Sequence, residues 1–349
     1  MQPTCRVEIV QRGERLLALE GAWNALYDRA ERPHLTQGFE WNRCLWEAYL
    51  RPLGVRLRCL VVHTSERVVL IWPFQVSRYH RFWRAARSLG SRNGDYCRVL
   101  VEAGPNAEAY VRRAWQALRQ SRGVDLILAE HVPVDSLVQR VLSDPAPVAS
   151  EPDTALHFDP TGFATFEAYQ KQMPRQRQMK RHRRHLEENV GPVVFERVDD
   201  PERQIPLIAW MMERKVERLG ARGEQPLWGR DSAAFQSFLM AVSGRIARDG
   251  AFVVFTLRAG TELLSVLIGM LDASRFLAFH FAFEPAYAPY GPGGLLKQDL
   301  VRWAFERGLP VDMMHGGNKE FKKTFCNREV HLLTHVYPVS PWGWVAVRL

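Results

Sequence analysis

The segment Phe252–Gly308 constrains the fold of this chain more than any other. It reads as three β runs, Phe252–Arg258, Leu263–Leu271 and Arg275–Phe283, followed by the turn Gly291-Pro292-Gly293-Gly294 and a helix over Gly294–Arg307. Gly308-Leu309-Pro310 ends that helix and Val311–Met314 supplies a further strand. Strands that meet a helix through a glycine turn predict an α+β unit in which the helix covers a sheet. Leu296, Leu300, Val301, Ala304 and Phe305 share the core face, and Lys297, Arg302 and Arg307 are read as lying outside or at a flank. The turn also carries chemistry. The first N–H groups of a helix lack intrahelical partners, and the peptide dipoles place partial positive charge there. Such a junction suits a phosphate or pyrophosphate, and Gly293 and Gly294 have no Cβ to hold a ligand off. The same residues also suit a plain helix start. The pattern is neither G-x-G-x-x-G nor G-x-x-x-x-G-K-[ST], which argues against a dinucleotide site or a P-loop.

The rest of the chain repeats this organisation. In the first half, Cys5–Val10 reads as a strand and Glu14–Arg29 and Gly38–Tyr49 as helices. Val55–Thr64 and Val68–Val76 read as a hairpin, Tyr96–Val101 as a strand, Asn106–Ser121 as a helix and Asp125–Ala129 as a strand. Asp144–Asp153, DPAPVASEPD, is poor in both helix and strand formers and is taken as a junction between domains 1–150 and 151–349. The last residues are allowed to pack back on the first domain. In the second half, helices are expected at Phe163–Gln172, Arg175–Asn189, Pro201–Leu219 and Ser232–Asp249, with strands at Val193–Arg197 and Val330–Tyr337.

Length agrees with two domains, since 349 residues is about twice the usual ~150. No apolar run approaches the roughly 20 residues of a membrane span. The start MQPTCRVEIVQRGERLL lacks the pattern of a signal peptide, so a cytoplasmic protein is expected. The five cysteines are scattered with no C-x-x-C pair, which argues against a disulfide framework and a zinc site. They are read as small core residues, and no metal is expected. The formal net charge of +9 favours anionic partners such as nucleic acid, phosphates or a membrane surface.

Several ordered motifs carry a resemblance. They are Phe39-Glu40-Trp41 with Trp46, Asp95-Tyr96 before a strand, Glu284-Pro285-Ala286-Tyr287 leading into Gly291-Pro292-Gly293, and Gly317-Asn318-Lys319-Glu320-Phe321-Lys322. Together they resemble the double-GNAT acyltransferases related to the FemABX peptidyltransferases, especially the CelD/BcsL type associated with cellulose and exopolysaccharide biosynthesis. The resemblance implies two tandem GNAT-like domains with mixed, mostly antiparallel sheets flanked by helices. It also implies acyl-CoA, acetyl-CoA first, as co-substrate held at Gly291, Gly293, Gly294 and Leu295. The GNAT loop usually opens with Gln or Arg, a position that Ala288 fills here.

Transfer of an acyl group to an amine needs a base, a polarised carbonyl and a receptive site for the leaving group. There is no G-x-S-x-G elbow and no Cys–His pattern, so no covalent nucleophile is expected. His280 titrates in the right range to deprotonate an ammonium, and Glu284 is the alternative base. Lys322, carried over from the resemblance, would stabilise a phosphate or the oxyanion. Asp95, Tyr96 and Tyr287 are candidates for holding the acceptor. So are Arg181 and Arg184 on the basic helix MPRQRQMKRHRRHLEEN, and Lys215 and Arg218 three residues apart on another helix. Each also has a structural reading: a hydrogen-bonded histidine, a capping carboxylate, an Asx turn, or a solvated basic face.

Three functions follow. The first is N-acyl transfer from acyl-CoA to a sugar, a lipid-linked sugar or a small amine. The second is a FemABX-like transferase using aminoacyl-tRNA, which the basic helix favours. The third is a non-catalytic protein binding nucleic acid or anionic lipid, for which peripheral membrane contact is expected.

Overall fold

The computed structural model describes residues 5–80, 82–91, 96–225, 231–247, 250–272 and 274–348. The chain forms two compact units, Met1–Thr154 together with His331–Leu349, and Ala155–Val330.

In the first unit the strands Arg6–Val10, Arg56–His63, Val68–Tyr79, Trp83–Ser88, Leu126–Pro133 and the Leu332–Pro338 part of the last strand lie side by side in that order. Neighbours run antiparallel except Trp83–Ser88 and Leu126–Pro133, which pair in parallel through Ala85 and Leu126. The helix Ala107–Arg119 buries Tyr110, Val111, Ala114, Trp115 and Leu118. Their three-and-four spacing makes one apolar stripe that lies on the sheet. Trp115 sits 6.4 Å from Trp72 and 4.9 Å from Tyr337 between ring centroids.

Several elements of this unit differ from their sequence reading. The hairpin strand continues to Tyr79 and turns into Trp83–Ser88, which sequence did not indicate because Arg78, His80 and Arg84 interrupt any apolar alternation. The expected helix Glu14–Arg29 is two helices, Gly13–Leu17 and Glu20–Arg29. The helix Phe39–Cys44 widens into a π-helical turn over Leu45–Leu50. The strand expected at Tyr96–Val101 contracts to Leu100–Val101. The stretch Asp144–Asp153 is no structureless junction, because the strand Ala149–Phe158 begins inside it. Its first residues are exposed, a place where a strand tolerates proline, here Pro152. Of the cysteines, Cys44, Cys59 and Cys97 are core residues, while Cys5 and Cys326 are only partly covered.

The second unit follows its sequence reading closely. Its sheet runs from Phe158 through Val311–Asp312, Phe276–Phe283, Glu262–Leu271 and Phe252–Ala259 to Val193–Val198. Phe276–Leu277 pairs in parallel with Val311–Asp312, and every other pairing is antiparallel. The helix Pro292–Phe305 packs Leu295, Leu296, Leu300, Val301 and Ala304 on Phe255, Leu257, Leu267 and Phe276. The helices Pro201–Gly220 and Ser232–Ile246 pack together and against the sheet. Asp200 caps the first of them by accepting from the Glu202 amide. Buried Gln204 donates to the carbonyls of Val198 and Phe252 and accepts from Ser243, which pins both helices to the sheet.

Two irregularities position the site. The strand Phe276–Phe283 has a parallel partner only at Phe276 and Leu277, so Ala278–Phe283 is an open edge among the described residues. The same strand bulges opposite Ile268 and Gly269, whose partners are His280 and Ala278. Phe279 is the extra residue, and it reverses the side-chain alternation. Phe276, Ala278 and Phe281 therefore belong to the core under the Pro292–Phe305 helix. Phe279 and His280 instead both meet Phe235, at 6.5 and 5.3 Å between centroids. Simple alternation would put Phe279 and His280 on opposite faces.

Candidate active site

Three helices of the second unit bring cations to this open edge. Lys215 and Arg218 come from Pro201–Gly220, Lys297 from Pro292–Phe305, and Lys322 from the short helix Lys319–Lys323. Lys215 Nζ lies 2.9 Å from His280 Nδ1. Burial, with Arg218 and Lys322 adding repulsion, pulls Lys215 down to about 7. The His280 imidazole is pushed well below the usual histidine range by burial and by Lys215, so it is neutral near pH 7. Lys297 is 3% exposed. Its Nζ stands 3.8 Å from the centroid of Phe281 and 4.6 Å from that of Phe321, where the ring faces favour a cation. Burial and the charges of Lys322, Arg218 and Lys215 bring it to about 7 as well. The Arg218 guanidinium covers Phe281 and Phe283 at 5.5 and 5.2 Å.

Lys322 has a second job. Its ammonium donates to the carbonyls of Met314, His315 and Gly316 at 2.9, 3.2 and 2.7 Å. These carbonyls belong to a loop in which Met314, Gly316 and Gly317 all have φ between 61° and 69°. Asn318 caps the short helix by accepting from the Phe321 amide, and that cap aims Lys322 at the loop. Lys322 is thus a clamp on the loop as well as a charge in the cluster.

The glycine turn is built differently from its expected form. Gly291 adopts φ 58°, ψ 48° and begins the helix. The amides of Gly294 and Leu295 both donate to the Gly291 carbonyl. Gly293, Gly294 and Leu295 are buried, and a Cβ on Gly293 would lie 3.0 Å from Phe281 and 3.4 Å from Phe283. The missing side chain at Gly293 lets helix and strand approach each other, and Gly291, half-buried beside His182, gives its amide to the Ala288 carbonyl.

The other expected residues are spread more widely. Glu284 stands at the end of the bulged strand with its carboxylate 3.7 Å from Arg214. Tyr287 packs on the core beside the turn. Arg184 is exposed and pairs with Glu188 at 2.7 Å, and Arg181 is exposed too. Arg183, which sequence did not single out, is the arginine of that helix that reaches Asp299 of the Pro292–Phe305 helix, at 2.5 Å. Tyr96 lies in the first unit, buried, with Arg98 over its ring at 4.8 Å. Asp95 lies outside the described residues. The residue that sequence reading placed wrongly is Lys297. It falls four residues after Gly293 and four before Val301, on the core face of its own helix.

Residues 174–323 match the family model described as Acetyltransferase (GNAT) domain. Among solved structures the chain is similar to FemX, with 11% identity, 94% of this chain and 96% of that chain covered, and a TM-score of 0.59. It is also similar to the C-terminal domain of a protein described as a lysylphosphatidylglycerol synthetase, from Agrobacterium fabrum (10% identity, coverage 96% and 95%, TM-score 0.56). A third is a tandem GNAT protein from the clavulanic acid biosynthesis pathway (12% identity, coverage 96% and 99%, TM-score 0.51). No curated protein sequence matches significantly. The cation-lined open edge lies within the segment that matches the GNAT model, and the chain has the fold of the tandem GNAT protein.

Proposed function

We propose that the chain transfers an acyl group from acyl-CoA, acetyl-CoA first, to the amine of a sugar, a lipid-linked sugar or a small amine. The observation that carries this reading is the cluster of buried His280 and Lys297 with half-buried Lys215 and Arg218 on an open strand edge. A pair of lysines near pH 7 divides the work of acyl transfer. Lys215, hydrogen-bonded to neutral His280, takes the proton that the acceptor ammonium must lose. Lys297, in its cationic form between two aromatic faces, stabilises the oxyanion as nitrogen adds to the thioester carbon. The carbon–sulfur bond then breaks, and the sulfur leaves as thiolate and takes the proton that the newly acylated nitrogen loses. Arg218 supplies positive charge for the carrier's phosphates, with the carrier lying beside the turn Gly291, Gly293, Gly294 and Leu295. Glu284 is close enough to the strand end to orient an acceptor ammonium. Lys322 acts through the loop it clamps. The relation of this activity to exopolysaccharide biosynthesis rests on the motif resemblance.

The test is isothermal titration with acetyl-CoA and longer acyl-CoAs, followed by turnover on a panel of amines. We expect saturable binding in the wild type. Lys297→Met should lower turnover by about a hundredfold, the usual cost of losing one oxyanion donor. Absence of heat with every acyl-CoA would remove this donor. The second reading, an aminoacyl-tRNA donor with a lipid-linked or peptide acceptor, is favoured by the exposed face of Gln176–Asn189, where Arg177, Lys180, Arg181 and Arg184 stand free of the core. FemX-like architecture accords with it. Filter binding of charged tRNA, with affinity falling steeply with salt, separates the two donors.

A further inference from the structure

One end of the first unit carries a surface that acyl transfer does not use. Phe82, at the tip of the hairpin joining Val68–Tyr79 to Trp83–Ser88, is 82% exposed. Trp342 and Trp344, on the helix Pro341–Ala346, are 69% and 49% exposed, with Val345 and Val347 exposed beside them. These aromatics belong to one place. The Asp125 carboxylate accepts from the Arg84 amide at 2.9 Å and from the Ser340 hydroxyl at 2.7 Å. Arg84 is two residues from Phe82, and Ser340, the cap of the helix, is two residues from Trp342. The helix is locked there. Ala346 packs with Tyr79, Ala85 and Leu126, and Gly343 fits so closely on the Asp125 carbonyl that an added Cβ would lie 1.9 Å from it.

Arginines ring the same end. Arg78 and Arg84 face each other across the hairpin, a pairing that opposes like charges. Arg84 Nη1 lies beside Gly123, and Arg58 donates to the carbonyl of Arg122 at 3.3 Å, with Arg56 two residues away on its strand. Arg56, Arg78, Arg84 and Arg122 are all exposed. Asp125, the acid among them, is engaged by two donors.

We propose that this end of the first unit docks on an anionic phospholipid bilayer, with Phe82, Trp342 and Trp344 entering the headgroup layer and the arginines meeting the phosphates. Amphipathic aromatic rings partition to that depth, and juxtaposed arginines gain from the negative surface potential. The exposed valines distinguish a bilayer from a nucleic acid, because aliphatic side chains add to partitioning and give a base nothing to stack on. No helix among the described residues is long and apolar enough to cross a membrane, so the attachment is peripheral. The proposal stands independently of the acyl donor.

The test is co-sedimentation of the full chain with phosphatidylcholine vesicles, with and without phosphatidylglycerol. We expect binding that requires phosphatidylglycerol, weakens with salt and shifts tryptophan emission to the blue. The triple variant Phe82→Ser, Trp342→Ser, Trp344→Ser should bind at least about tenfold more weakly. Arg78→Glu with Arg84→Glu should abolish the preference for phosphatidylglycerol. Acyl-CoA binding should be unchanged in both variants. The proposal is overturned if the wild type ignores phosphatidylglycerol vesicles or if the triple variant binds them equally. It is also overturned if the triple variant instead abolishes a dimer seen by light scattering, or abolishes tRNA binding in a protein that does not sediment with vesicles.

Discussion

Lys215 and Lys297, both pulled down to about 7 by burial and by neighbouring cations, impose a cost on the stability of the second unit. An ammonium held at about 7 in the fold, against 10.5 when exposed, makes the unfolded chain bind more protons between those values. Stability therefore rises with pH across that window, by up to about 1.4 kcal/mol per pH unit for each lysine, and flattens below about 7. Lys297→Met removes its share of that slope, so denaturant unfolding at pH 7 and pH 9 should show a variant more stable than wild type with a smaller difference between the two pH values. The rate should follow the same groups. The acid limb of kcat/KM for an amine acceptor should have an apparent midpoint near 7 that belongs to the coupled cluster, not to one residue. Lys215→Met should remove that limb along with most of the activity. Lys215 and His280 were legible in the sequence as isolated candidates. Their pairing was not, because Lys215 and His280 lie far apart in sequence and only the fold joins them. Lys297 was misread because a lysine normally lies on a helix's wet side, yet its four-residue spacing to Val301 already put it on the apolar one.

The bulge at Phe279 is the element on which the site turns. Opposite it, Gly269 leaves room for the Phe276 ring, and a Cβ there would fall 1.9 Å from Phe276 Cζ and 2.8 Å from the Leu277 carbonyl. Gly269→Ala must move the ring or the strand, and a loss of about 1–3 kcal/mol in equilibrium unfolding is expected, as for other overpacked cores. Activity should fall further than stability alone explains, because the strand carries His280. Nothing in Phe276–Phe283 announces the bulge. The run alternates well enough to read as a regular strand, and the irregularity arises from pairing with Glu262–Leu271. Elements with one clear period, such as Ala107–Arg119 and Pro292–Phe305, were legible almost to their ends. Trp83–Ser88 and Ala149–Phe158 were hidden, the first by its arginines and the second by Pro152 and the prolines just before it, because tertiary pairing overrides local preference in both.

Length and the repeated order of elements suggested two domains, with the last residues free to pack back on the first. The first unit takes back the final segment of the chain, His331–Leu349. Tyr337 in that segment bonds the Leu142 carbonyl and stacks edge-on against Trp115. His335 accepts or donates at both Ser150 and Gln139. Ending the chain after Val330 deprives the first unit of a strand along Leu126–Pro133 and of part of its core. The truncated protein should lose cooperative unfolding of that unit in calorimetry and aggregate through the bared edge, while a fragment 155–330 should retain a cooperative transition of its own.

This return of the C-terminal strand also fixes an order of events during synthesis. Chains usually fold from the amino end as they leave the ribosome. Here the unit that starts first must wait for the last strand, and the unit encoded in the middle has all its residues earlier. The half-built first sheet is therefore the nascent species that a chaperone would have to shelter.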